Sequence, residues 1–112
     1  MSAWQRVAGQ EVVAGEVQVQ RLRVRYSGRV QGVGFRATVD DLARNFQVTG
    51  RVSNVHDGSV DLQADGDERE LVAFQRAILQ RLQRNIVDFQ EQWSSVEREE
   101  WSDFGVGPDL LR

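Results

Sequence analysis

The feature that most constrains this chain is a switch of hydrophobic period across one glycine-rich stretch. Leu22, Val24 and Tyr26 alternate with Arg21, Arg23 and Arg25, the period-two pattern of a strand with one apolar face. Residues 28–34 then hold Gly28, Gly32 and Gly34, three glycines in seven positions, which demands a loop. Beyond it Phe35, Val39, Leu42, Ala43 and Phe46 recur at helical spacing, so one face of a helix is apolar. A strand, a tight glycine-rich turn and a helix therefore follow one another without a linker.

The remainder continues in the same style. Gly50 closes the connection after the helix, and residues 52–54 read as a second strand. His56, Asp57 and Gly58 supply a turn, and Val60, Leu62 and Ala64 alternate with Asp61, Gln63 and Asp65 as a third strand. Asp65, Gly66 and Asp67 mark the next turn. Asp67, Glu68 and Glu70 place negative charge where the dipole of a second helix favours it. Leu71, Phe74, Ile78 and Leu82 form the stripe of that helix, which ends near Arg84. Residues 86–93 are rich in β-formers and read as a fourth strand. Residues 94–100 are a polar loop or a turn of helix, and residues 101–106 are a short fifth strand that Gly107 and Pro108 end.

The order β-α-β-β-α-β predicts an α+β fold, the split βαβ or ferredoxin-like sandwich. Its sheet is mostly antiparallel, with two helices on one face. The first and third strands are neighbours in that topology, which sets Arg21, Arg23 and Arg25 beside Asp61 and Asp65 on the solvent face. Such cross-strand pairs contribute roughly 0.2–1 kcal/mol each, so the arginine row has a structural use.

The 112 residues suit one domain. Residues 20–108 are read as that domain, residues 109–112 as a C-terminal tail and residues 1–19 as an N-terminal extension. Val17 and Val19 alternate in the extension, which suits the start of a strand or a frayed tail equally. The net charge of -3 argues against a nonspecific grip on nucleic acid. The absence of cysteine excludes disulfides, zinc–thiolate sites and thiol nucleophiles, and the single His56 excludes a multi-histidine metal site. No apolar run approaches the roughly 20 residues of a membrane helix. The first residues lack the basic start and apolar stretch of a secretory signal. The expectation is a cytoplasmic monomer that binds neither nucleic acid nor membrane.

Residues 28–36 carry the chemistry. A glycine-rich turn into a helix N-terminus can aim successive backbone N–H groups at an anion. Arg36 lies in the first helical turn, where the dipole disfavours a cation. A bound phosphate would compensate it, and a guanidinium matches phosphate oxygens two at a time. A solvent-facing arginine, or one paired with Asp40, remains the alternative. Asn54 ends the second strand, where an amide can cap a turn or hold a water molecule by donating and accepting at once.

The run Gly-Arg-Val-Gln-Gly-Val-Gly-Phe-Arg at residues 28–36 resembles the first acylphosphatase signature at every specified position. Residues 50–54, with Gly58, Val60 and Gly66 at matching intervals, resemble the second. Residues 101–104 look like the family's closing strand, and the resemblance spans residues 22–106. It implies hydrolysis of the carboxyl–phosphate bond of small acyl phosphates, with no metal and no other cofactor. By the same resemblance Arg36 binds the substrate phosphate. The N–H groups of Val30, Gln31, Gly32, Val33, Gly34 and Phe35 cradle it, and Asn54 orients the attacking water. Arg51 and Ser53, three positions and one position before Asn54, depart from the pattern, and Ser53 in place of a basic or amide residue suggests weaker binding of anions.

Other uses of the fold stand beside this one. Acylphosphatase-like domains also open larger proteins that transfer carbamoyl groups from carbamoyl phosphate, and a non-catalytic binding module is a further reading. No following catalytic domain is present within these residues, so a free-standing hydrolase is the expectation. RNA-recognition domains of the same fold stack bases on aromatics of the first and third strands, and those positions here are arginines and acids. His56 sits in a turn, where a solvated imidazole is the default. Trp93, Trp101 and Phe104 are expected to pack the core, with a partner surface as the alternative.

Overall fold

The computed structural model describes residues 19–111. The expectations for residues 1–18 lie outside the described residues. Seven elements follow in order: β1 (Gln20–Gly28), α1 (Phe35–Ala43), β2 (Val48–Asn54), β3 (Val60–Gly66), α2 (Glu68–Arg81), β4 (Ile86–Ser95) and β5 (Phe104–Val106). They form one five-stranded sheet in the order β4-β1-β3-β2-β5. Every pairing is antiparallel except that of β5 with β2. This is the ferredoxin-like sandwich with an added parallel edge strand.

The core lies between the helices and one face of the sheet. Leu22, Val24 and Tyr26 of β1 meet Val52, Leu62 and Ala64 of β2 and β3 under Phe35 and Val39 of α1 and Leu71, Phe74 and Ile78 of α2, all essentially without solvent contact. Deleting a side chain such as Leu62 would cost about 2–5 kcal/mol through lost transfer energy and the cavity left behind. Phe104 of β5 closes the far edge by meeting Phe74 edge-on, with ring centroids 5.5 Å apart. Tyr26 is the polar exception. Its hydroxyl donates to Gln75 Oε1 of α2, and Gln75 Nε2 donates onward to Glu91 at 2.8 Å. Burial raises the Tyr26 pKa well above its ordinary value, with the Glu91 charge adding to the effect.

Several boundaries differ from the sequence expectation. Helix α1 stops at Ala43, and Phe46 lies beyond it in tight turns, with its N–H donating to Ala43 O at 3.1 Å. Phe46 still reaches the core, 5.6 Å from the Phe74 ring, so helical spacing carried past the helix itself. Gly50 does not close a connection: β2 begins at Val48, and Gly50 pairs with Ala64 inside the strand. A Cβ there would sit 1.9 Å from Gln63 O, at φ 145°, so only glycine lets the two strands approach. Helix α2 ends at Arg81, β4 runs on to Ser95, and β5 starts only at Phe104. Asp67 caps α2, accepting from Arg69 N at 2.8 Å.

The solvent face of the sheet carries the expected charges in register. Arg21 faces Asp65, Arg23 faces Gln63 and Arg25 faces Asp61. Arg21 donates to both Asp65 oxygens, at 2.8 and 2.9 Å, while Arg23 Nη2 lies 3.2 Å from Asp61. The hydrogen bond to Asp65 raises the Arg21 pKa against the opposing effect of burial.

Candidate active site

The turn between β1 and α1 is built for close approach. Gly32 and Gly34 have φ of 75° and 77°, and Gly34 is the residue immediately before the helix. A left-handed Gly34 turns the chain sharply, so α1 starts with its N–H groups towards the turn. The first N–H the helix takes up is that of Thr38, donated to Gly34 O at 3.0 Å. Those of Gly32, Val33, Gly34, Phe35 and Arg36 meet no protein acceptor among the described residues. No acidic side chain lies in the first turn of α1, so no carboxylate of that turn offsets its positive dipole end.

A cavity of about 230 Å³ opens at this point. Val30, Gly32, Gly34, Phe35, Arg36 and Ala37 line one side, and Asn54 and Val106 the other. The turn, α1, the end of β2 and β5 therefore converge on one space. Among the described residues Arg36 is its only charged lining side chain. Asp40 is not the partner of Arg36, since Asp40 lies 3.9 Å from Arg44. The nearest carboxylate to Arg36 is that of Asp109, 3.6 Å away. Asn54 Oδ1 is buried without a hydrogen-bond partner among the described residues. An orphaned acceptor in a protein interior is costly unless a water or ligand completes it.

Two of the loop residues face elsewhere. Gln31 turns its side chain to the β2–β3 hairpin, where Nε2 donates to Val55 O at 2.7 Å and Ser59 O at 2.8 Å. That amide ties the turn carrying Arg36 to the strand end carrying Asn54. Val33 is outside the cavity lining and 43% exposed. The hairpin is braced in turn by Asp57, which accepts from the Ser59 hydroxyl at 2.5 Å and the Ser59 N–H at 2.9 Å; these bonds lower the Asp57 pKa.

The two departures, Arg51 and Ser53, point away from the cavity. Strand alternation sends them to the opposite face of the sheet from Asn54, where they line a separate cavity of about 410 Å³ with Arg23, Asp61 and Trp101. Arg51 stacks 5.7 Å from the Trp101 ring and pairs with Asp103 at 3.0 Å. The expected weakening of anion binding by Ser53 thus has no direct route. Trp101 lies on this open face, unlike Trp93 and Phe104, which pack against the core. His56 is exposed in its turn. Sequence reasoning missed the Gln31 side chain and Asp109, because neither shows a local signal of a partner that is distant in sequence.

Unpaired backbone donors at a helix start, one arginine and an unpaired buried amide oxygen thus meet in one cavity of a ferredoxin-like sandwich. The acylphosphatase family model matches residues 22–106, and the chain belongs to the acylphosphatase family. An acylphosphatase of Methanospirillum hungatei is 43% identical over 60 residues, covering 54% of this chain and 66% of that protein. One of Pseudothermotoga lettingae is 43% identical over 60 residues, 54% of this chain and 67% of the relative. The aligned stretch thus spans about two thirds of those relatives' lengths, and 62% of the Clostridium acetobutylicum acylphosphatase. The crystal structure of the Bacillus subtilis acylphosphatase superposes with a TM-score of 0.69 at 30% identity, covering 79% of this chain and 98% of that one. Full-length HypF, in a phosphate- and nucleotide-bound form, matches at 28% identity with a TM-score of 0.68, over 88% of this chain but 13% of HypF.

Proposed function

We propose that this chain hydrolyses the carboxyl–phosphate bond of small acyl phosphates to carboxylate and inorganic phosphate. The observation that carries the reading is the cavity in which Arg36, unpaired backbone N–H groups and the orphaned Asn54 Oδ1 meet. The phosphoryl group would sit against Arg36 and the N–H groups of the turn, which offset its charge without moving. Asn54 Oδ1 would accept from a water whose oxygen attacks phosphorus. The new P–O bond forms from that water, the bond to the acyl oxygen breaks, and the carboxylate leaves with the electron pair. The carboxylate is a good leaving group, so positioning and charge stabilisation suffice. The water's proton passes to a phosphoryl oxygen of the substrate itself, because no carboxylate or imidazole of the described residues lines the cavity.

The reading includes independence of metal and, in keeping with a cysteine-free composition, a cytoplasmic monomer without nucleic-acid partners. Hydrolysis of benzoyl phosphate in the presence of a chelator tests it. The parent should turn over, and Arg36→Gln and Asn54→Ala should each lose most of the rate while remaining folded. A folded parent with no hydrolysis above background overturns the reading. Loss of activity to the chelator, restored by added metal, overturns its metal independence.

The likeness to HypF favours a second reading, a domain that handles carbamoyl phosphate within a larger protein. The same cavity would then bind that compound. A kcat/KM for carbamoyl phosphate well above that for benzoyl phosphate would support it.

A further inference from the structure

The segment after β5 is held rather than loose. Gly107 N donates to Val52 O at 2.9 Å, Leu110 N to Asn54 O at 2.8 Å and His56 N to Leu110 O at 2.9 Å. These bonds bracket Asp109 and carry its carboxylate to the mouth of the cavity, where Oδ1 lies 3.6 Å from Arg36 Nη1. Both side chains remain open to solvent, Arg36 by 34% and Asp109 by 68%. The side-chain walls of the cavity are otherwise apolar apart from Asn54: Val30, Phe35, Ala37 and Val106.

An acyl phosphate whose phosphoryl group takes Arg36 meets no second cation in this lining. It does meet a carboxylate fixed beside the one cation present. An acyl group that itself bears a negative charge would lack a partner and be repelled, whereas a neutral acyl group would rest on apolar walls. We propose, on the hydrolase reading above, that Asp109 is a specificity-determining residue that disfavours acyl phosphates with anionic acyl groups. A like charge at about 6 Å in a solvated mouth is worth a few-fold in selectivity, roughly threefold to tenfold at low ionic strength.

The test compares benzoyl phosphate with 4-carboxybenzoyl phosphate, which differ by one remote carboxylate, in the parent, Asp109→Asn and Asp109→Glu. The parent should prefer benzoyl phosphate. Asp109→Asn should raise the relative kcat/KM of the anionic compound by roughly threefold to tenfold, and salt should shrink that gain because exposed charges are screened. Asp109→Glu should keep the parent's ratio. An equal rise for both compounds would make Asp109 a mere competitor for Arg36, and an equal fall would make it a support for Arg36. Either result, or an unchanged ratio, overturns the selectivity. A folded parent that turns over neither compound overturns the hydrolase reading itself, and this inference with it.

Discussion

Arg21 on β1 and Arg36 on α1 carry the same guanidinium, and the fold uses the two differently. Arg21 is bonded to both oxygens of an Asp65 carboxylate that is 1% exposed, on the sheet face away from the helices. Arg36 has one exposed carboxylate at 3.6 Å and stands in a cavity among unpaired backbone donors. The first cation is consumed by the fold, and the second keeps only an exposed carboxylate beside it. An arginine's use is therefore set by what the neighbouring strand offers it, not by its own chemistry.

The sharpest way to break this comparison is to neutralise each cation and measure both activity and stability. Arg36→Gln should lower kcat/KM for benzoyl phosphate by about a hundredfold or more, the scale of losing one preorganised charge partner in a phosphoryl-transfer site. Its unfolding free energy should change by less than ~0.5 kcal/mol, as for an exposed substitution. Asp65→Asn should do the reverse. It removes the two-bond partner of the Arg21 guanidinium, leaving it the exposed Glu100 at 3.2 Å, and should cost ~2 kcal/mol in denaturant unfolding, discounted for the partial exposure of Arg21, with turnover nearly unchanged. Equal losses of activity in the two variants would end the distinction.

A smaller effect sharpens the contrast between core and site. The Tyr26 hydroxyl has its pKa raised by burial, so the folded state keeps a proton that the unfolded chain gives up as pH rises past ~10. The stability it carries is full below that pH and is lost progressively above it. Tyr26→Phe should remove this alkaline sensitivity while costing about 1–3 kcal/mol at neutral pH, because Gln75 Oε1 loses its donor. Urea unfolding at neutral and alkaline pH would read both. The smallest effect is expected at His56, which is exposed in its turn. His56→Ala should leave the rate over pH 5–8 unchanged, and a pH–rate profile altered by this variant would give His56 a part in turnover after all.

Much of the architecture was legible because it is local. Alternation at Leu22, Val24 and Tyr26 and helical spacing from Phe35 to Ala43 report periodicity, which any half-buried element must show. Boundaries were less legible where tertiary contact overrode local habit. Gly50 looks like a loop residue in isolation, but the Gln63 backbone pressing on it makes it a strand residue. Phe46 keeps helical spacing while sitting outside the helix, because the Phe74 ring rewards its position and not its backbone.

The site divides along the same line. Residues 28–36 announce a tight turn with free backbone donors, since glycines before a helix with an arginine in its first turn form a contiguous pattern. That Asn54 shares the cavity with Arg36, that Gln31 ties their two loops together and that Asp109 guards the mouth depend on strand register and on the path after β5. By itself the sequence determined the order of strands and helices, the glycine-rich turn and the charges placed on one strand face, all of which follow from nearest-neighbour sterics and periodic burial. Only the tertiary structure decided which arginine was spent on a buried carboxylate and which was set beside an exposed one at a cavity. That choice rests on pairings between residues tens of positions apart, for which a one-dimensional pattern carries no signal.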